Sequence, residues 1–258
     1  MRTDGGHPPR DRGSGLSPEI DGRTEDHVIN KKGIGEKPMP LLVEGKANMH
    51  TDFWESSWQR IDEKRLMEYA ERKEQADPIP ILETLKSRKA QTVCDAGCGC
   101  GAYVRRLAQQ GFTVKGFDVS GRAVEIAEDI LEKSGLTAEL RAASVLKTGY
   151  PDNEFDAVVC RDVLDHIPKE EAKQTVRELC RITKPGGIIL LTLDGLDEEY
   201  QKEPHTVTEE GDYQFTEGKW KGMVFHPYSA EETAEFGETA KAFYVESLQE
   251  GLLVRLEL

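Results

Sequence analysis

The chain is poor in basic charge, in aromatic rings and in long apolar runs. Its 258 residues carry 34 Lys and Arg against 48 Asp and Glu, a net charge of −14. A surface of that sign repels phosphate backbones, which argues against nucleic acid as a partner. The longest nearly apolar run, Ile188 to Leu193, is far shorter than the roughly 20 residues of a membrane-spanning helix, so no membrane association is expected. The opening Met1-Arg2-Thr3-Asp4-Gly5-Gly6 begins no apolar stretch, so no signal peptide is expected. Cysteine is also scarce. Five residues, an odd number, are not dispersed as a disulfide framework, and a reducing cytoplasm is the expected setting. The length suits one domain with residues left for a lid or a tail.

Residues 1–50 hold 8 of the 24 Gly and 5 of the 12 Pro, no aromatic residue, and 8 basic against 8 acidic side chains. Such a stretch buries too little apolar surface to offset its ordering entropy, and it reads as a flexible tail. From residue 51 the pattern changes. Phe53, Trp54 and Trp58, followed by Ile61, Leu66, Met67 and Tyr69 among charges, predict one or two amphipathic helices. A short helix from Ile79 to Leu85 precedes the basic run Lys86-Ser87-Arg88-Lys89.

Beyond residue 90, strands and helices alternate. Strands are expected at Thr92–Ala96, Thr113–Phe117, Ala138–Ala143, Phe155–Cys160 and Ile188–Leu193. Between them lie a helix over Ala102–Gln110, a helix capped by Ser120 and ended by Gly135, and a helix opened by Pro168. The last is expected to carry Arg177, Arg181 and Lys184 towards its end and to break at Pro185-Gly186-Gly187. The alternation implies an α/β fold, a doubly wound and mostly parallel sheet with helices on both faces. Ser229–Ala240 reads as helical, and Ala242–Gln249 with Leu252–Leu258 as a closing antiparallel hairpin. Residues 200–228 contain six of the 18 aromatics, and residues 194–258 carry 16 acidic against 5 basic side chains.

The most informative stretch is Val93-Cys94-Asp95-Ala96-Gly97-Cys98-Gly99-Cys100-Gly101, a strand running through a glycine turn into a helix. Glycines there permit positive φ and let a ligand approach the backbone closely. Asp118, at the end of the second strand, can accept hydrogen bonds from two ribose hydroxyls. Gly97-x-Gly99-x-x-Ala102 formally satisfies a dinucleotide fingerprint, so a nicotinamide-dependent oxidoreductase remains one reading. Asp95 argues for another: a carboxylate gains nothing beside a pyrophosphate but stabilises a cationic ligand. Cys94, Cys98 and Cys100 form a C-x3-C-x-C run whose spacing does not suit an iron–sulfur site, and no metal is expected.

These features resemble the class I S-adenosylmethionine-dependent methyltransferases. The Val93–Gly101 stretch is similar to their first motif, and Gly116-Phe117-Asp118-Val119-Ser120 to the ribose-binding motif. The segments 151–161 and 163–167 resemble the fourth-strand motif, and Lys184-Pro185-Gly186-Gly187 the turn before strand five. The resemblance implies a seven-stranded Rossmann-like sheet ending in an antiparallel hairpin, with S-adenosylmethionine as cofactor. It divides the chain into a tail over 1–50, N-terminal helices covering the cofactor over 51–90, and a methyltransferase domain over 91–258 with an inserted cap around 195–228. It implies that Asp95, Gly97, Cys98 and Gly99 line the methionine moiety, that Asp118 holds the ribose, and that Val119 packs on adenine. Where the family usually places an acid for the adenine amino group this chain has Ser144, which would act with the backbone of Val145. Arg161 would lie at the methionine end. The implied reaction is direct displacement onto a small-molecule acceptor, and the local acidity favours neutral or cationic ones. Trp220, Phe225 and Tyr228 are candidates to wall the acceptor, and His166 and His226 are candidate bases. A non-catalytic S-adenosylmethionine-binding protein is the remaining alternative. The oligomeric state is not legible.

Overall fold

The computed structural model describes residues 49–61, 67, 68, 70 and 81–258, without the side chains of Met49 and His50. The expected tail before Met49, Leu66 and Tyr69 of the amphipathic pattern, and the start of the second helix at Ile79 lie outside the described residues. The elements run α1 (Met49–Gln59), α2 (Ile81–Ser87), β1 (Thr92–Ala96), α3 (Ala102–Gln109), β2 (Thr113–Asp118), α4 (Gly121–Lys133), β3 (Glu139–Ala142) and β4 (Phe155–Arg161). A 3-10 turn (Leu164–His166), α5 (Lys169–Ile182), β5 (Thr183–Asp194) and α6 (Glu198–Lys202) follow. The short strands β6 (His205–Val207), β7 (Tyr213–Phe215) and β8 (Val224–Phe225) come next, and then β9 (Ala242–Leu248) and β10 (Gly251–Glu257).

The main sheet has seven strands in the order β3-β2-β1-β4-β5-β10-β9. The first five are parallel and the last two antiparallel. The order reverses between β1 and β4, so the carboxyl ends of these strands open a crevice there. Central strands covered on both faces need continuous apolar sequence, and β4 and β5 supply it. Cys94, Val158, Ile189 and Leu191 pack on one face with the α5 residues Val176 and Leu179. Val93, Val159, Ile188 and Leu190 pack on the other with Leu85, Val104 and Leu107.

Helix α4 shows why the local signals suffice. Its Ser120 cap accepts a hydrogen bond from Ala123 N, and Ala123, Val124, Ile126, Ala127, Ile130 and Leu131 are buried at helical spacing. Gly135, at φ +66°, follows the end.

Two expectations are corrected. Pro185-Gly186-Gly187 does not separate α5 from β5, because α5 ends at Ile182 and the strand already runs from Thr183 to Asp194. Pairing jumps from Phe155–Thr183 to Ala157–Ile188, so the tripeptide is a bulge inside the strand. Gly186 N donates to Leu258 O and Leu258 N to Gly187 O, which keeps the bulged backbone satisfied. Lys184 therefore lies in β5 and not in the helix, with Nζ 2.7 Å from Asp156 Oδ1. Second, Ser229–Ala240 forms no α-helix but a 3-10 segment at Glu232–Thr239.

The segment expected as a cap is a small antiparallel sheet of three strands in the order β6-β7-β8. Phe53 of α1 packs into it with Phe215, Met223 and Phe225. That contact joins the N-terminal helix to the insertion across the carboxyl end of the main sheet. Among the described residues, no helix is long and apolar enough to cross a membrane.

Candidate active site

Strand β1 delivers Asp95 and then the turn Gly97–Gly101. Gly97, Gly99 and Gly101 all have positive φ, at +76°, +52° and +76°. A Cβ on Gly97 would lie 2.4 Å from Val163 Cγ2, and one on Gly101 2.6 Å from Ala127 Cβ. Glycine is therefore required on steric as well as dihedral grounds. Gly97 N and Cys98 N both donate to Phe117 O, at 2.8 and 2.9 Å, which ties the turn to β2. Asp118 then accepts from Gly99 N at 2.8 Å and from Ser120 N at 2.9 Å.

Both acids are buried. Asp95 is 3% exposed, and its Oδ2 has no hydrogen-bond partner. Burial raises its pKa to about 7, against the opposing effect of the Arg161 guanidinium. Burial also raises the Asp118 pKa, offset by the N–H groups of Ser120 and Gly99. The residues thus fit a ligand that brings a cation to Asp95 and donors to Asp118.

Arg161 ends β4, with its guanidinium carbon 4.7 Å from the centroid of the Tyr103 ring. Val119 is half-buried after Asp118. Ser144 lies in the turn after β3, bridged to Lys147, and its hydroxyl accepts from Leu146 N at 3.2 Å. Val145 packs against the core beside it. Cys98 faces inwards: its side chain packs with Val93 and Val104, and its N–H is taken by Phe117. Only its backbone borders the turn. Cys94, Cys98 and Cys100 fall in three separate apolar clusters, because strand alternation and the turn send them apart.

Helix α1 lies over this turn. Trp58 is the nearest neighbour of Gly99, 3.0 Å from where a Cβ would stand. Glu55 Oε2 accepts from Ser120 Oγ at 2.7 Å and, more distantly, from Arg122 N. Trp54 meets His166 edge-on with ring centroids 5.1 Å apart. The sequence pattern predicts the helix, but nothing local marks Glu55, because its partner is 65 residues away.

Next to the turn, the 3-10 segment after β4 buries Asp165 and His166, at 0% and 6% exposure. Burial, then the neighbouring Asp162, pushes the Asp165 pKa well up, while its Oδ2 accepts from Asp194 N at 3.0 Å. Burial lowers the His166 pKa and leaves the ring neutral at pH 7. Asp165, His166 and Asp194 each offer one ligand atom within 4.8 Å of the others, so a metal ion could be held there; it is the one such group among the described residues. Sequence reasoning named His166 but not the two acids, whose proximity depends on β4 and β5 being neighbours.

The structure splits the other expected residues. Phe225 is buried against His166 and Tyr200, with centroids 5.4 and 5.0 Å away, and Trp220 meets Tyr200 at 5.3 Å. These rings, Phe53 and Trp54 form one aromatic group beside His166. Tyr228 belongs elsewhere, packed on Phe236 and His226. His226 is buried with Nδ1 2.9 Å from Asp212 Oδ1 and donates its backbone N–H to Asp165 O. Asp212 was not marked by the sequence, since its pairing with His226 joins β7 to β8 of the insertion.

Residues 93–187 match a family model described as a methyltransferase domain. The chain is 35% identical over 102 residues to a protein from Azoarcus sp. named ubiquinone biosynthesis O-methyltransferase, an overlap of 39% of this chain and 42% of that one. A protein of the same name from Thiobacillus denitrificans is 33% identical over 113 residues, 43% of this chain and 47% of its own. The chain thus spans less than half the length of the curated relatives it matches. A solved SAM-dependent methyltransferase from Methanosarcina mazei superposes with a TM-score of 0.55 at 20% identity, covering 70% of this chain and 98% of that one. That likeness speaks for the fold alone. Taken with the order of its motifs, the match supports a class I S-adenosylmethionine-dependent methyltransferase domain over residues 93–187.

Proposed function

We propose that the chain transfers the methyl group of S-adenosylmethionine to a small-molecule acceptor. The observation that carries this reading is the buried Asp95 carboxyl, unpartnered at Oδ2 beside a glycine turn at positive φ. An uncompensated acid there suits a cationic ligand and opposes a pyrophosphate, which counts against the nicotinamide alternative. When bound, the donor supplies an activated methyl group on sulfur. The chain's part is alignment, which can be worth on the order of 7–11 kcal/mol. Asp118 accepts the ribose hydroxyls, the backbone at Gly97 and Gly99 receives the methionine chain, and Val119, Ser144 and Val145 border adenine.

The acceptor space we infer lies between α1 and the small sheet, walled by Trp54, Tyr200, Trp220 and Phe225 and floored by His166. A neutral His166 can take a proton from an acceptor hydroxyl or amine. His226, held by Asp212, supports that floor from the insertion and is a weaker base candidate. Tyr228, packed on Phe236, is a weaker wall candidate. The relatives' printed names make hydroxyl acceptors the first class to test, with amines second. The net charge of −14 favours such molecules over nucleic acid. Free cysteines, four of them buried, accord with a reducing cytoplasm. Calorimetry with S-adenosylhomocysteine and with NADH tests the donor: the first is expected to bind and the second not. Binding of NADH alone would replace this reading with an oxidoreductase.

A further inference from the structure

We propose that the acceptor is an amine, bound as its ammonium by the carboxylates of Asp165 and Asp194 among the rings of Trp54, Tyr200 and Phe225, and methylated on that nitrogen. The inference rests on the donor reading and the acceptor space given above and deepens them, from a small molecule to one chemical class. The relatives' printed names point to hydroxyl groups. The charges at this end of the sheet point to a cation instead.

Strands β4 and β5 run side by side, with Arg161 opposite Thr192. Beyond that pair come Asp162 and Asp194, and the 3-10 turn after β4 adds Asp165 and His166. Hydrogen bonds fix the set. Thr192 Oγ1 donates to Asp162 Oδ1 at 2.6 Å, and Asp194 N to Asp165 Oδ2 at 3.0 Å. Asp165, His166 and Asp194 each bring one polar atom within 4.8 Å of the others. Asp165 is fully buried, yet its Oδ1 has no hydrogen-bond partner, and neither has His166 Nδ1. A buried acid left unpaired costs free energy that a donor or a cation recovers.

Aromatic faces stand at the same place. Trp54 and Phe225 meet His166 with ring centroids 5.1 and 5.4 Å away, and Tyr200 packs on Phe225 at 5.0 Å. Rings beside carboxylates attract an ammonium twice over, through their quadrupoles and through net charge. Burial, then Asp194, Asp165, Asp197 and Glu199, push the pKa of the Tyr200 hydroxyl up. Surroundings that keep this phenol neutral also oppose the conversion of an acceptor phenol to its phenolate. An ammonium arrives with the charge that the same acids favour.

The step balances without a further reactant. The bound ammonium yields one proton to His166; burial disfavours the imidazolium, and Asp194 and Asp162 offset part of that cost. The nitrogen lone pair then attacks the methyl carbon. The C–N bond forms as the C–S bond breaks, and the bonding pair stays on sulfur. His166 returns its proton to solvent, and the product is again an ammonium.

The test is a panel of aryl and alkyl amines, each paired with the alcohol or phenol of the same skeleton, such as phenethylamine with 2-phenylethanol. The full chain is given S-adenosylmethionine, and release of S-adenosylhomocysteine is read with and without EDTA. The amines are expected to turn over at least about tenfold faster than their partners, with EDTA making no difference, the scale of one charge-assisted contact. Asp194 is exposed at the end of β5, so Asp194→Asn is expected to keep the fold. It should raise KM for the amine about tenfold and leave the affinity for S-adenosylhomocysteine unchanged. Turnover of the hydroxyl members alone overturns the proposal. Hydroxyl turnover that needs added magnesium and stops with EDTA overturns it as well, and gives the acids to a metal ion. An unaltered KM in Asp194→Asn overturns the role of that carboxylate. A panel in which no amine reacts, while S-adenosylhomocysteine still binds, overturns the amine class and leaves the donor reading standing. Failure of S-adenosylhomocysteine to bind overturns the donor reading itself.

Discussion

The carboxylate of Asp118 accepts the N–H of Gly99 at 2.8 Å, so the end of β2 and the glycine turn after β1 are one rigid unit. The second oxygen accepts from Ser120 N at 2.9 Å, and Ser120 in turn caps α4. The proposed ribose acceptor is thereby aimed by backbone that the fold has already placed. Replacing Asp118 by Ala is expected to weaken S-adenosylhomocysteine binding by about 1.5–3 kcal/mol, the usual loss for hydrogen bonds to a charged group. Titration calorimetry measures it, and unchanged affinity would reject the ribose contact.

Binding should depend on pH through Asp95. Its pKa of about 7 means that the acid is half protonated in the free protein at neutral pH. A ligand ammonium favours the carboxylate and lowers that pKa, so binding expels a proton. Affinity is expected to be full above pH 8 and to fall as pH drops through 7, approaching tenfold per unit below it. In Asp95→Asn the affinity should be lower and flat across that range. A slope that persists in the variant would assign the titration to another group.

Gly101→Ala is expected to destabilise the fold, because the new Cβ meets Ala127 Cβ at 2.6 Å at a φ of +76°. The cost of the strained dihedral and the overpacked contact together is about 2–4 kcal/mol. Gly111→Ala is the control: its φ of +85° is similar, but nothing lies within 4 Å. A urea midpoint falling no further for Gly101→Ala than for the control would sink the packing part of the argument.

Asp156 anchors the entrance to the sheet. It accepts from Gln91 N and Thr92 N, both at 2.8 Å, and from Lys184 Nζ at 2.7 Å. Burial alone would raise its pKa; Lys184 and the donors of Thr92 and Gln91 reverse this and hold it well below the usual carboxylate range. A depressed acid contributes stability above its unfolded pKa of about 4 and loses it as pH falls. Asp156→Asn should therefore cost about 1–3 kcal/mol at pH 7, with the gap to the parent closing below pH 4. Chemical denaturation at both pH values shows whether it does.

Much of the fold is legible along the chain. Strand β1 is Thr92–Ala96 as its apolar pattern predicts, and the Ser120 cap is where the helix signal puts it. The errors have physical causes. Pro185-Gly186-Gly187 has the composition of a breaker, yet Leu258, 72 residues away from Gly186, supplies the hydrogen bonds that let it remain in a strand as a bulge. Ser229–Ala240 has helical composition but tightens to 3-10, with Phe236 and Thr233 drawn into the core. Among site residues, Asp95, Gly97, Gly99 and Asp118 could be gathered from the sequence because one strand–turn–helix unit carries most of them. Glu55, Asp165 and Asp194 could not, since each meets its partners through a different element.

By itself the sequence determined the alternating architecture and the glycine turn after β1, because hydrophobic period, helix caps and glycine dihedrals act within a few residues. Only the tertiary structure decided that Phe53 and Trp54 meet the rings of 200–225, that Tyr228 and His226 turn to other partners, and that Arg161 stacks on Tyr103 beside Asp95. Those contacts join segments distant along the chain. They are chosen by strand order and by competition among aromatic side chains for one enclosed volume, which no local pattern records.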